Sequence, residues 1–264
     1  MGPAPFRVCV IWFFSLEVRV PEGPSLVILR EESSRFVGKK IVRAEGNTKT
    51  VDLNTLTGKK IVSLRSWGKH FIIELPDTAL RIHFMLFGSY RIDERKESPP
   101  RLSLQFAGGK ELNFYACSVK PVEADLDAMY DWDADIMSPT WDAAKARKKL
   151  RAAPHMLACD ALLDQTIFAG VGNIIKNEVL FRIRLHPLST IGALSAPKLR
   201  QLVEQARQYS FDFLEWKKAF VLKKNWLAHR KSTCPRCDIP FSKSHLGLTK
   251  RRAFYCERCQ KRYS

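Results

Sequence analysis

The chain has 264 residues and 45% hydrophobic content, enough to bury one or two sizeable cores. Its formal net charge of +17 and pI near 9.7 point to a polyanionic partner, nucleic acid first, and away from a small acidic metabolite. No stretch reaches the roughly 18 consecutive apolar residues of a membrane span, so no membrane partner is expected.

Residues 1–20 contain one apolar run, Val8 to Leu16, preceded by Arg7 and followed directly by Glu17 and Arg19. Without a small-x-small cleavage site this reads as an extension to the first domain rather than a secretory signal. Val20-Pro21-Glu22-Gly23-Pro24-Ser25 then leads into helical spacing over 26–36, which begins almost at Pro24 and which Gly38 would terminate. On spacing alone the Pro-Glu-Gly-Pro run is a turn and cap.

Short β-branched runs with turn signals follow at 39–45, 60–66, 69–75, 79–84, 89–92, 101–106 and 111–115, which predicts an antiparallel sandwich or barrel. Gly38-Lys-Lys-Ile-Val42 recurs as Gly58-Lys-Lys-Ile-Val62, and two copies mark two strand starts rather than a repeat array. The acidic stretch 125–138 is a composition shift that reads as an interdomain linker, solvated rather than metal-binding.

The next part is helical, with helices expected at 141–152, 157–168, 174–184 and 196–220, the last opened by Ser195 and Pro197. Its centre is Phe168-Ala-Gly-Val-Gly-Asn173. Glycines ahead of a helix let the backbone approach a ligand, and the helix N-terminus offers free N–H groups to a phosphate. Asn173 fits a plain N-cap equally well.

The tail carries Cys234-Pro-Arg-Cys237 and Cys256-Glu-Arg-Cys259, two Cys-x2-Cys knuckles with eighteen residues between them. That spacing suits one zinc ion held tetrahedrally by four thiolates, and suits two disulfides much less well in a basic chain of intracellular character. The remaining Cys9, Cys117 and Cys159 form no disulfide framework and read as reduced, mostly buried thiols. From Lys217 to Ser264 there are fourteen Lys or Arg against two Asp or Glu, and the loop between the knuckles presents Lys250, Arg251 and Arg252. A metal-stapled basic loop of this kind suits a phosphate backbone.

The Pro-Glu-Gly-Pro start, a Gly-Lys in a strand, an Ala-Gly-Val-Gly-Asn turn between helices and a C-terminal four-cysteine finger together resemble the formamidopyrimidine-DNA glycosylase and endonuclease VIII family, over Pro21 to Ser264. The resemblance implies an α+β multidomain fold. A leading helix and β-sandwich occupy 21–130 and a helix-two-turn-helix domain 139–228. A zinc-finger hairpin occupies 229–264, and 1–20 is an extension beyond the resemblance, which either an alternative start at Val20 with processing or proteolytic removal would take away to expose Pro21. It also implies a bifunctional DNA glycosylase and abasic-site lyase, monomeric, with damaged double-stranded DNA as partner and one structural zinc ion. The expected location is cytoplasmic and nucleoid-associated.

By the same resemblance Pro21 is the catalytic amine, and Glu22 the proton donor to the deoxyribose ring oxygen. Lys69, Asn173 and Arg251 grip phosphates beside the lesion, with Arg252 able to share that task. Met85, Leu86 and Phe87 fill the hole left by a flipped nucleotide, Leu86 as the wedge. His83 is expected to be packed or hydrogen-bonded. Cys234, Cys237, Cys256 and Cys259 hold the zinc.

The chain departs from the pattern in two places. Residues 113–118 read Asn-Phe-Tyr-Ala-Cys-Ser, without the arginine of the 8-oxoguanine-excising branch, which favours the endonuclease VIII side and oxidised pyrimidines. As written, Pro21 also follows twenty residues, and a proline nitrogen inside a peptide bond has no nucleophilic lone pair. The lyase chemistry therefore requires Pro21 to be exposed as the first residue, and a chain with a blocked proline would be a catalytically silent damage-binding protein.

Overall fold

The computed structural model describes residues 21–123 and 125–264, and the expected extension at 1–20, with Cys9, lies outside the described residues. Pro24 stands in the first turn of α1 (Gly23–Ser33), where a residue without an N–H is tolerated. A single tighter turn, Ser34–Phe36, continues it, so the expected 26–36 segment is helix plus turn, and Gly38 at φ +77° supplies the left-handed residue just beyond.

Six strands follow: β1 (Ile41–Glu45), β2 (Ser63–Trp67), β3 (His70–Glu74), β4 (Ala79–Ile92), β5 (Leu102–Phe106) and β6 (Lys110–Val122). All pair antiparallel in the order β1-β5-β6-β4-β3-β2. The long strands β4 and β6 run through both layers of the sandwich, which close over Phe36, Phe71, Leu80, Ile82, Leu104 and Phe114. The two open edges meet at an isolated bridge between Lys40 and Lys60, with Ile41 and Ile61 buried beneath it. This is where the duplicated Gly-Lys-Lys-Ile-Val segments lie.

Two expectations change here. The runs 79–84 and 89–92 are halves of the one strand β4, whose register against β6 shifts between Phe84 and Ser89. The expected strand at 111–115 continues to Val122, past Ala116 at φ +47°. Phe114 and Tyr115 are both buried, so strict alternation fails at that bend and hides the continuation.

The acidic stretch is not an open loop. It forms α2 (Leu126–Met129) and one further turn, Asp131 and Asp133 pair with Lys145 at 2.8 and 3.3 Å, and Ile136 is fully buried. Asp135 is buried too, which pushes its carboxyl up to about 6. The charged residues draw the eye in sequence, whereas Ile136 and the lysines of the next helix decide the packing.

The helical part contains α3 (Ala143–Arg151), α4 (Ala158–Ala161), α5 (Asn173–Arg182) and α6 (Ala196–Lys218) around Phe168, Ile175, Leu180, Leu202 and Tyr209. The helix expected at 157–168 shrinks to the short α4. Asp164 Oδ1 accepts from the Thr166 N–H at 2.8 Å and from the Thr166 hydroxyl, a local turn that competes with helix continuation. The finger is a hairpin of β7 (Ser242–Leu246) and β8 (Arg251–Tyr255), seated on Phe181 of α5 through Phe241, Cys234 and Cys256. Cys117 and Cys159 are unpaired and buried. Among the described residues no helix is long and apolar enough to cross a membrane.

Candidate active site and nucleic-acid interface

Three glycines bring the site together. Gly23 at the start of α1, Gly68 in the β2–β3 turn and Gly170 ahead of α5 meet backbone to backbone. A Cβ built on Gly170, itself at φ +99°, would lie 3.2 Å from the Gly23 Cα and 3.5 Å from the Gly68 Cα. The Gly23 N–H donates to the Gly170 carbonyl at 2.8 Å. Side chains at these positions would hold the three segments apart, so the glycines put Pro21-Glu22, Lys69 and the α5 N-terminus side by side.

Glu22 is fully buried, yet it lacks no partner. Its Oε1 accepts from the Ile174 N–H at 2.7 Å, and its Oε2 accepts from the N–H groups of Gly172 and Ile175 at 3.1 and 3.2 Å. These are the otherwise unpaired donors at the start of α5, the usual seat of an anion. A Cβ on Gly172 would come within 2.6 Å of Glu22 Oε1, so Gly172 is where the carboxylate needs room. Burial pushes the Glu22 carboxyl up from its ordinary value, against the opposing pull of Lys69 and the three N–H groups. Lys69 is pushed down by its own burial and by Arg251, while Glu22 pulls it back up. The Asn173 side chain donates to the Arg252 carbonyl at 3.1 Å.

The structure therefore assembles Pro21, Glu22, Lys69, Asn173 and Arg251 from four separate segments. Arg252 is exposed, with its guanidinium 5.4 Å from the Phe254 ring centre. Met85, Leu86 and Phe87 stand on the β4 bulge at 56%, 56% and 72% exposure, far from the burial expected of sandwich residues. The pairing of His70 with His83 sets Phe84 level with Lys69, so the bulge begins beside the Gly68-Lys69 turn. His83 Nδ1 is 3.2 Å from the Lys69 carbonyl, a hydrogen-bonded histidine as expected. The four tail cysteines have their sulfurs within 4.8 Å of one another.

Sequence reasoning passed over four residues. Gln165 holds the glycine turn, accepting from the Gly170 N–H at 3.1 Å and donating to the Val171 carbonyl at 3.1 Å. Lys176, Asn177 and Glu178 are buried along α5, and burial lowers the Lys176 ammonium to about 8. The available signal was three consecutive polar residues between Ile174-Ile175 and Val179-Leu180-Phe181, in a helix with no polar face to give them.

Residues 20–117 match the formamidopyrimidine-DNA glycosylase N-terminal domain family, and residues 134–218 match the formamidopyrimidine-DNA glycosylase H2TH domain family. Endonuclease 8-like 3 of Xenopus laevis is 30% identical over 222 residues, 80% of this chain but 36% of that protein. Endonuclease 8-like 2 of Bos taurus is 33% identical over 205 residues, 70% of this chain and 59% of that one. The chain thus spans about a third of one relative and three fifths of the other. Among solved structures, a formamidopyrimidine-DNA glycosylase from Lactococcus lactis, bound to DNA containing an abasic site, superposes with a TM-score of 0.80 at 24% identity, over 91% of this chain and 100% of that one. A viral DNA glycosylase superposes with a TM-score of 0.78 at 21% identity over the same shares. With both of its main domains matched and the glycosylase fold reproduced, the chain belongs to the formamidopyrimidine-DNA glycosylase and endonuclease VIII family.

Proposed function

We propose that this chain is a bifunctional DNA glycosylase and abasic-site lyase of base excision repair, acting on oxidised pyrimidines in duplex DNA as a monomer in the bacterial-type nucleoid. The observation that carries the reading is Glu22, a fully buried carboxylate seated on the α5 N-terminus next to Pro21 and electrostatically joined to Lys69. A chain beginning at Pro21 offers a secondary amine that titrates within about a unit of neutral pH. Its lone pair attacks C1′ of the sugar and expels the base, while Glu22 supplies a proton to the ring oxygen. The bond from C1′ to the protonated ring oxygen then breaks, leaving a hydroxyl on C4′ and, with the nitrogen's own hydrogen gone to the departing base, an iminium between Pro21 and C1′. That cation acidifies the neighbouring C–H bonds, and elimination releases the phosphates on both sides.

Lys69, Asn173, Arg251 and Arg252 would hold the kinked backbone, and Met85, Leu86 and Phe87 would occupy the vacated stack. The preference for pyrimidines rests on residues 113–118. They lie within β6 with Asn113 and Phe114 fully buried, which leaves no projecting arginine loop there.

Borohydride trapping on a duplex with one abasic site tests the chemistry. A chain starting at Pro21 should give a covalent complex on a denaturing gel, and one retaining residues 1–20 should not. If neither is trapped while damaged DNA is still bound, the catalytically silent damage-binding reading replaces the lyase. That second reading is favoured by the amide nitrogen Pro21 has in the written sequence.

The four clustered thiols fit a zinc ion. All the donors are soft, there are four of them, and none is a carboxylate or an open position for water. Zinc there would staple the base of the hairpin and take no part in the reaction. Chelation should abolish binding of abasic DNA while the sandwich stays folded, read by fluorescence anisotropy alongside circular dichroism.

A further inference from the structure

The finger hairpin is gripped from outside at two points, and of the gripping side chains only Asn173 has a role in the function proposed above. The first grip is Asp160 of α4, only 7% exposed. Both of its carboxylate oxygens lie 3.0 Å from the Leu248 nitrogen, whose N–H donates to them, and Oδ1 accepts from the Thr249 N–H at 3.4 Å. Gly247, at φ +70°, is packed so closely that a Cβ would fall 2.6 Å from the Asp160 carboxyl carbon. The Leu248 side chain meanwhile is 89% exposed, so the turn is held by its backbone and not by apolar burial.

The second grip is the Arg252 carbonyl. It accepts from Asn173 Nδ2 at 3.1 Å, from Lys176 Nζ at 3.3 Å and from Asn177 Nδ2 at 3.3 Å. Asn177 Oδ1 also accepts from the Phe254 N–H at 3.2 Å. The Asp160 carboxylate also acts electrostatically on the buried Lys176 ammonium, which links the two grips through charge. Arg251 lies between them, with an exposed side chain and its charge felt at Lys69.

We infer that Asp160 and Lys176 are positioning residues that dock the finger hairpin on the helical domain and thereby fix where Arg251 meets the phosphate beside Glu22; the role of Arg251 rests on the function proposed above. A two-stranded hairpin is marginal on its own. Metal at its base would leave the tip free to swing. A turn exposed to water would satisfy its N–H groups with solvent, whereas here they reach a buried carboxylate on another domain. Charge-assisted hydrogen bonds of this kind resist water's competition better than neutral ones.

A double-mutant cycle separates positioning from general support. Affinity for a duplex carrying a tetrahydrofuran abasic analogue is measured for the Pro21-start chain and for D160N, R251A and the pair. D160N should weaken binding about tenfold. In the R251A background it should cost less than about twofold, because its effect passes through Arg251. G247A, which leaves Asp160 in place but pushes the turn off it, should behave the same way. K176M should follow D160N, and K176Q, which keeps a donor, should recover most of the loss. Equal costs with and without Arg251, or no cost from D160N, would overturn the inference.

Amide hydrogen exchange reads the clamp without DNA. Leu248 and Thr249 should exchange at least about tenfold faster in D160N while β3 and β4 amides stay unchanged. Unchanged exchange at those two amides also overturns it. If exchange responds but the parent chain does not prefer the abasic analogue over plain duplex, the docking stands and the functional reading of the site fails.

Discussion

Replacing Glu22 with Gln should lower the rate of base excision by about 10²–10⁴-fold, the usual contribution of a positioned general acid. Cleavage of a preformed abasic site should fall much less, since no base remains to be expelled and the ring opens without help. The pH profile carries the sign. Burial raises the Glu22 carboxyl above its ordinary value near 4.5, so the acid form persists to higher pH. Excision by the parent chain should therefore decline as pH rises through the folded value, and E22Q should show no such limb.

The same shift affects stability. The folded state binds this proton more tightly than the unfolded chain, so the carboxyl's contribution is fully present below its ordinary value. It is lost as pH rises through the folded value. A carboxylate that merely capped α5 would alter stability but leave excision and abasic cleavage affected alike. Equal losses in both assays would therefore reduce Glu22 to a structural cap.

What the sequence discloses and what it conceals divide along physical lines. The cysteine knuckles, the glycine turn and the short strands are local signals, set by residues within a few positions of one another. They were legible in order. The continuity of β4 was not: Met85-Leu86-Phe87 ahead of Gly88 reads as an exposed turn between two strands, and while the exposure holds, only the pairing with β6 on both sides shows a bulge within one strand. The shortening of the 157–168 helix was equally hidden, since the competing Asp164–Thr166 turn costs nothing in hydrophobic pattern.

The candidate site shows the same division. Pro21, Glu22, Lys69, Asn173 and Arg251 could be picked out by family resemblance, but not the reason they converge. That reason is the backbone contact of Gly23, Gly68 and Gly170, separated by scores of residues. Nor could any local pattern show that Glu22 caps α5, because the donors and the acceptor lie 150 or more positions apart. The buried polar run Lys176-Asn177-Glu178 carried a warning of another kind: three polar residues inside a helix buried from Ile174 to Phe181 must each find a partner elsewhere.

Glu178 found the most demanding set. Fully buried, it accepts from the N–H groups of Leu227, Ala228 and His229 at 2.8–3.0 Å, while Arg182 approaches its Oε2 at 3.6 Å one turn along the helix. Residues 227–229 lead from α6 into the first cysteine knuckle, so this one carboxylate ties the finger's entry segment to α5. Substitution by Ala strands the N–H groups of the buried Ala228 and His229 and leaves Arg182 without its anion. The expected cost is about 3–5 kcal/mol, the usual penalty for breaking a buried ionic cluster by deleting one member. Urea denaturation followed by far-UV circular dichroism would measure it.

E178Q keeps one acceptor oxygen and the side-chain volume, so it should lose clearly less than E178A. If the two variants proved equally destabilised, the charge on Glu178 and not its hydrogen-bond geometry would be what holds the segment. A loss below about 1 kcal/mol for E178A would mean that water replaces the carboxylate, at the net worth of an ordinary hydrogen bond. The finger would then be held to α5 by Phe181 and Phe241 packing with the Asp160 and Arg252 grips, and not through its entry segment.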